Sequence, residues 1–183
     1  SKVKKSGANA TLGTTEWTLK NGIKVVVRPS TLKADEVIIS ATAKGGQSML
    51  SDADYFHGDY LAMVMQQSGI SKFSATELSK QLSGKSAYAS VGVDAYEHSV
   101  NAGGSPKDIE TILQLMYLNF TAPRFAQNDL DILKNMYVPY FKNMESDPSY
   151  IARRELINTM YGNHPRRQMT SAEMIDAINI ESL

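Results

Sequence analysis

The chain has 183 residues, 42% hydrophobic and 21% charged, a balance typical of a globular protein with its own core. Nineteen basic residues offset nineteen acidic ones, and no basic cluster is large enough to hold a phosphate backbone, which argues against a nucleic-acid partner. Cysteine is absent, so disulfides, thiolate zinc sites and cysteine nucleophiles are excluded, and no apolar run has the length of a membrane span.

The chain is predicted to divide into a linker at residues 1–12 and one α+β domain at residues 13–183, incomplete at its C-terminus. The lysines near the start are followed by no hydrophobic stretch, so they do not indicate a signal peptide. Two β-rich runs around Asn21-Gly22 predict a hairpin with a type I′ turn. Alternating apolar residues in the next run predict a third strand in the same antiparallel sheet, with the sequence "EVIISATAKGG".

Helix signals dominate the rest of the chain. A cap at residues 51–54 predicts a helix to about Ser68, and the capping box of Ser74 and Glu77 predicts a short second one. A strand pair around Asp94 comes next, and further helices are predicted to begin near Ser105, Gln127, Asp147 and Thr170. This order predicts an α+β fold in which helices are layered on one face of an antiparallel sheet.

Apolar stripes predict which helix faces are buried. The helix in "GDYLAMVMQQSG" is apolar almost all round, as buried helices are. In the helix after Ser105 the predicted core stripe is Ile109, Ile112, Leu113, Met116 and Phe120. In the long helix that follows, which Pro139 is expected to kink, it is Leu130, Leu133, Met136, Tyr137, Tyr140, Phe141 and Met144.

Six short motifs cover nearly everything from Leu12 to Leu183 in a fixed order: "WTLKNGIKVVV", "AKGGQS", "ATELSKQLSG", "GSPKDIETILQL", "RFAQNDLDILK" and "MYGNHP". Together they resemble a half-unit of the pitrilysin/insulinase family of zinc metallopeptidases. The resemblance implies the α+β half-unit fold of processing-peptidase domains. Active units of that family carry His-x-x-Glu-His on the first helix after the third strand, with a later glutamate as the third zinc ligand.

The resemblance also shows where such a site would stand in this sequence. The two histidine positions fall on Leu61 and Met65, the general-base position on Val64 and the third-ligand position on Tyr140, to within one residue. None of these side chains can bind zinc or activate water as the motif does. The resemblance therefore implies no catalytic, cofactor-binding or metal-binding residues in this chain, and a pocket filled with hydrocarbon that the Tyr140 ring closes.

The resemblance implies a function as a non-catalytic domain from the second half of a long peptidase, since the two halves of such family members close around a peptide. Zinc is expected in the catalytic half of the parent protein, which would hydrolyse peptides. The expected partners are that half, neighbouring domains and peptide substrate at the interior wall. The alternative is a proteolytically inert scaffold subunit. Units of the family finish with a further helix, strand and helix, so the end at "NIESL" implies an exposed sheet edge that favours self-association.

The remaining polar candidates have structural explanations. The three histidines are interpreted as a helix-end residue, a packed strand residue and a turn residue: His57, His98 and His164. The pairs Arg153-Arg154 and Arg166-Arg167 have the chemistry to bind a peptide carboxylate, although a solvated face or an interdomain salt bridge is favoured. Peptide preference and cellular compartment are left open.

Overall fold

The computed structural model describes residues 2–182, which fall into two compact units, one ending at Glu36 and the other beginning at Val37. The first unit is a three-stranded antiparallel sheet in chain order, formed by β1 (Val3–Asn9), β2 (Thr14–Leu19) and β3 (Lys24–Val27). Residues expected to be a linker therefore include a strand. Gly13, with φ of 63°, stands in the turn that lets β1 return along β2.

The hairpin around Asn21-Gly22 forms, but its turn differs from the prediction. β2 and β3 are antiparallel, and the Leu19 amide donates to the Ile23 carbonyl at 2.8 Å. A type I′ turn needs positive φ at both central residues, and of this pair only Gly22 has it, at 89°. The type I′ prediction is therefore wrong, and a longer loop joins the strands.

The second unit holds a separate antiparallel sheet in the order β4-β6-β5, made of β4 (Val37–Lys44), β5 (Ala87–Val93) and β6 (Glu97–Gly104). The prediction that β4 extends the hairpin's sheet is wrong, because β4 pairs with β6 much later in the chain. Val100 and Ala102 are buried on one face of this sheet, whereas Ser40 and Asn101 are exposed on the other.

Helices supply the rest of the second unit, and the α+β prediction is confirmed. The helices are α1 (Tyr55–Ser68), α2 (Ala75–Gln81), α3 (Ile109–Thr121), α4 (Gln127–Met144), α5 (Pro148–Tyr161) and α6 (Ala172–Ala177), with 3₁₀ turns at Gly46–Met49, Pro106–Asp108, Pro165–Arg167 and Ile180–Ser182. α3 packs on β5 and β6, α1 packs on β5 and α4, and α4 packs on α6. No helix among residues 2–182 is both long and apolar enough to cross a membrane.

The core stripe predicted for α3 is only half right. Ile112 is fully buried against the sheet, together with Leu115, which the prediction omitted. Leu113 and Phe120 are instead 52% and 66% exposed. Leu113 lies about 100° around the helix from Ile112, so a sheet that covers one of them leaves the other outside. The exposed side of α3 therefore carries large apolar side chains among its polar ones.

Candidate functional site

α1 is the helix on which the family resemblance places the zinc motif. Ser51 accepts a hydrogen bond from the Asp54 amide at 3.2 Å in the turn before the helix, and Gly69, with φ of 87°, ends it. Val64 is 1% exposed and Met65 is 9% exposed, whereas Leu61 is half-buried. The helix is thus formed and well buried at the motif positions, although less completely than its composition predicts.

The general-base position lies in the hydrocarbon core. Val64 belongs to a buried cluster with two residues of α4 and two near α6, namely Leu130, Leu133, Ile175 and Ile178. A carboxylate there would lose its hydration with no cation beside it, which costs several kcal/mol. Valine at this position therefore contributes to packing and has no part in proton transfer.

Tyr140, which the resemblance assigns to the third-ligand position, is exposed, whereas the sequence predicted that it faces the core. Tyr140 is 56% exposed and stands edge-on to Phe141, with ring centroids 5.2 Å apart. The inner face of α4 carries Leu130 and Leu133, and Ile132, Met136 and Tyr140 recur every four residues on the outside. The prediction that Met136 and Tyr140 face the core, with the Tyr140 ring closing the pocket, is wrong.

The donor set at these positions does not fit a zinc ion. Leu61, Val64 and Met65 offer alkyl groups and one thioether, and Tyr140 offers a phenol where the family motif needs a carboxylate. Within residues 2–182, no three side chains of the histidine, aspartate or glutamate type come together in a group that could hold a metal.

The histidines occupy structural positions. His164 caps the turn Pro165–Arg167 by accepting from the Arg166 amide at 3.2 Å. His98 is exposed on β6, and its Nε2 accepts from the Gly46 amide at 3.2 Å. His57, in the first turn of α1, has a buried Nδ1 with no hydrogen-bond partner among the described residues. Among the described residues, none of the three histidines belongs to a group of three or more potential metal ligands.

Two phenols, the half-buried Tyr60 and the buried Tyr150, connect the helices around this region. The Tyr60 hydroxyl donates to Thr170 Oγ1 at 3.4 Å, and the Tyr150 hydroxyl donates to the Thr170 carbonyl. Burial raises the pKa of both hydroxyls. They connect α1 and α5 to the segment before α6 and act as anchors, a role that no short sequence pattern marks.

The arginine pairs form several polar contacts. Arg166 Nε donates to Asp52 Oδ1 at 2.5 Å, and its Nη2 donates to the Leu50 carbonyl at 2.7 Å. The guanidinium group of Arg166 lowers the pKa of Asp52. This salt bridge joins two segments of the same unit. Arg154 is 3.8 Å from its neighbour Glu155, whereas Arg153 lines an open groove.

Comparisons with known proteins show which folds this chain resembles. No family model matches the chain. A curated relative, described as "Zinc protease PQQL-like" from Arabidopsis thaliana, is 24% identical over 153 residues, or 83% of this chain and 14% of that protein. The periplasmic protease PqqL from Escherichia coli superposes with a TM-score of 0.77 at 18% identity, over 96% of this chain and 19% of that one.

Two further solved structures share this fold. The ferredoxin protease FusC, in complex with Arabidopsis ferredoxin, superposes with a TM-score of 0.81 at 18% identity, over 99% of this chain and 20% of that one. A peptidase M16 inactive domain from Pseudomonas fluorescens gives 0.72 at 18% identity, over 93% and 42%. The chain has the fold of an M16 peptidase domain. The predicted resemblance to the pitrilysin/insulinase peptidases, which is the M16 family, is confirmed.

This M16-type chain is much shorter than the proteins it resembles. It spans 14% of the curated relative and from 19% to 42% of the three solved chains. The relatives therefore consist of this domain together with others. The chain therefore combines an M16-type fold with apolar side chains at Leu61, Val64 and Met65 of the helix α1.

Proposed function

We propose that this chain is a non-catalytic domain of a larger zinc metalloendopeptidase, in which it forms part of the wall around a bound peptide. The observation that carries the proposal is the helix α1, where the apolar residues Leu61, Val64 and Met65 stand at the positions that the resemblance assigns to the ligands and the base, and where Val64 and Met65 are buried. The resemblance to PqqL, FusC and an M16 inactive domain supports a peptidase parent. In this proposal the parent holds zinc and cleaves peptides in another domain.

The inactivity of the chain itself is tested with purified protein and a broad fluorogenic peptide panel, with and without added zinc and with a chelator. We expect no chelator-sensitive cleavage. Zinc at micromolar concentration should also leave the melting temperature unchanged, because a ligand that binds only the native state raises it. Chelator-sensitive hydrolysis that co-purifies with the chain would falsify the proposal. An active M16 peptidase, handled in the same way, controls for the assay.

An inert scaffold subunit is the second candidate, and the exposed side of α3 favours it. Ile109, Leu113, Tyr117 and Phe120 repeat at helical spacing and are 38% to 66% exposed, which is typical of a helix that another protein covers. The two candidates differ in the full-length gene. A His-x-x-Glu-His half in the same chain supports the peptidase, whereas its absence there and in neighbouring genes supports the scaffold.

A further inference from the structure

Two open grooves meet along one side of α5. The first, of about 580 Å³, lies beside the N-terminal turn of the helix, and the second, of about 490 Å³, lies beside its C-terminal half. Arg153 and Met169 line both, so the grooves form one continuous depression. The second groove, here called the arginine groove, is lined chiefly by Arg153, Leu156, Ile157, Met160, Arg166 and Arg167.

The arginine groove combines an apolar floor with positive charge. Leu156 and Met160 are 59% and 66% exposed, and they lie one turn apart on the same side of α5 as Arg153. Its lining includes three guanidinium groups and no carboxylate. The chain as a whole has no net charge, so this excess of positive charge is local.

The arginines after α5 are held in place before any partner arrives. Gly162, with φ of 60°, ends the helix, and the turn that follows is capped by His164. Arg166 is fixed by Asp52 and stacks 4.9 Å from the Tyr55 ring centroid, and Arg167 stacks 5.4 Å from the centroid of Tyr161. Side chains that are already ordered lose less entropy when they bind, which favours recognition at this point.

Two of the three charges have no counter-ion. In the part of the chain that the structure describes, Arg153 and Arg167 form no ion pair. Guanidinium groups bind carboxylates through paired hydrogen bonds. Arg153 lies on α5 about two turns before Tyr161, the ring on which Arg167 stacks, and Leu156 and Met160 lie between them along the helix. Carboxylates separated by apolar side chains would complement this arrangement.

We propose that the arginine groove binds a polypeptide segment in which acidic residues alternate with apolar ones. A nucleic-acid backbone fits less well, because it needs a longer row of cations and gains little from exposed leucine and methionine. The proposal goes beyond the function proposed above and does not rest on it, since a peptidase domain and a scaffold can both use such a surface.

Fluorescence anisotropy with a short labelled peptide of alternating Glu and Leu or Phe tests the proposal on the intact chain. Saturable binding is expected that weakens as salt is raised. The same peptide with Gln in place of Glu is expected to bind about tenfold more weakly, because it keeps the apolar contacts but loses the charge-assisted ones. Equal binding of the two peptides would overturn the proposal, and so would tighter binding of a labelled oligonucleotide of matched charge.

A charge-reversal pair locates the binding. The double variant R153E/R167E changes exposed side chains that carry no ion pair, so it should fold normally by circular dichroism and lose about tenfold or more in affinity. The matched control is R154E, on the same helix but outside the groove lining, which should keep its affinity within about twofold. M160S should weaken binding of both peptides. A loss with R154E as large as with the double variant would show that the groove is not the site.

Discussion

Val64 shows how one residue can separate a fold from its chemistry. Its side chain is 1% exposed in a cluster of aliphatic residues from α4 and the α6 region, at the position where the family resemblance places a general base. A carboxylate at this position would need polar or cationic neighbours, whereas a valine needs apolar ones. The neighbours of Val64 are aliphatic, so they favour valine and disfavour a carboxylate at this position.

Replacing Val64 tests this packing. V64A should lower the free energy of unfolding by about 2 kcal/mol, through lost burial and a cavity. V64E should cost about 4 kcal/mol or more, or prevent folding, because it buries an unpaired carboxylate. Y140E, at the exposed third-ligand position, should change stability by only about 0.5 kcal/mol. Urea titration measures all three, and a V64E protein as stable as Y140E would contradict the burial of this position.

Asp147 provides a test of pH dependence. Its carboxylate accepts hydrogen bonds from the amides of Tyr150 at 3.2 Å and Ser149 at 2.7 Å, and these amides lower its pKa below 3.8. A lowered pKa in the folded state stabilises the protein above pH 3.8, and this contribution is lost as the pH falls through the folded value. The pKa values of Asp52 and Glu77 are also lowered, by hydrogen bonds from Arg166 and from Ser74.

D147N isolates the contribution of Asp147, since asparagine still caps the helix but does not titrate. Unfolding by urea is followed from about pH 6 to about pH 2.5, the range in which carboxylates take up protons. The wild-type protein should lose more stability than D147N over that range, and the difference should appear below about pH 4. Parallel curves for the two proteins would rule out the assigned role of this carboxylate.

At the scale of elements, the sequence predicted what is encoded locally. The capping box of Ser74 and Glu77, the stop at Gly69 and the start of α5 after Asp147 all appear as expected, because each depends on hydrogen bonds within a few residues. The partner of β4 was missed, because strand pairing joins distant segments that no local pattern specifies.

The same limit explains the errors at the candidate site. Periodicity shows that Met136 and Tyr140 share a stripe on α4, but it does not show which side of the helix the core covers. Leu113 and Phe120 on α3 were assigned to the core for the same reason. Leu61, Val64 and Met65, which the family resemblance assigns to the motif, do lie on the helix that local signals predicted. Their assignment to the motif stays a prediction.

The end of β4 shows a contact between elements that can be tested. Gly45 and Gln47 donate backbone hydrogen bonds to the carbonyls of Tyr96 and Asp94, at 2.8 and 2.9 Å, so the turn after β4 locks onto the β5–β6 turn. Gly46, with φ of 61°, lies so close that an added Cβ would be 2.1 Å from the Asp94 carbonyl oxygen. Only glycine fits there without moving the backbone.

G46A should therefore cost more than the strain of a left-handed alanine. At Gly84, where φ is 79° and nothing lies within 4 Å of an added Cβ, alanine should cost only about 1 kcal/mol of unfolding free energy. At Gly46 the backbone clash adds to that strain, and a loss of about 3 kcal/mol is expected. Thermal or urea unfolding of the two variants compares them. Equal losses would mean that the two turns are not in contact in solution.

At the scale of the whole molecule, stability is expected to be uneven. The buried hydrophobic cluster lies entirely after Val37, and β6 contributes Val100 and Ala102 to the buried face of its sheet. Before Val37, Thr14 is the only described residue that is buried. A three-stranded sheet with so little buried side-chain surface depends mainly on its own hydrogen bonds, which water can replace.

Hydrogen exchange followed by mass spectrometry should reveal this difference. Peptides that cover β1, β2 and β3 should exchange through local opening, with a free energy well below that of global unfolding, whereas peptides from β6 and α4 should exchange only when the molecule unfolds. Adding urea below the unfolding midpoint should narrow the gap, because global opening becomes more frequent while small local openings respond weakly. V64A should speed exchange in β6 and α4 and leave β1 to β3 almost unchanged. If peptides from β1 to β3 exchange as slowly as peptides from β6, both units unfold in one step. The division at Glu36 then does not separate two units of different stability.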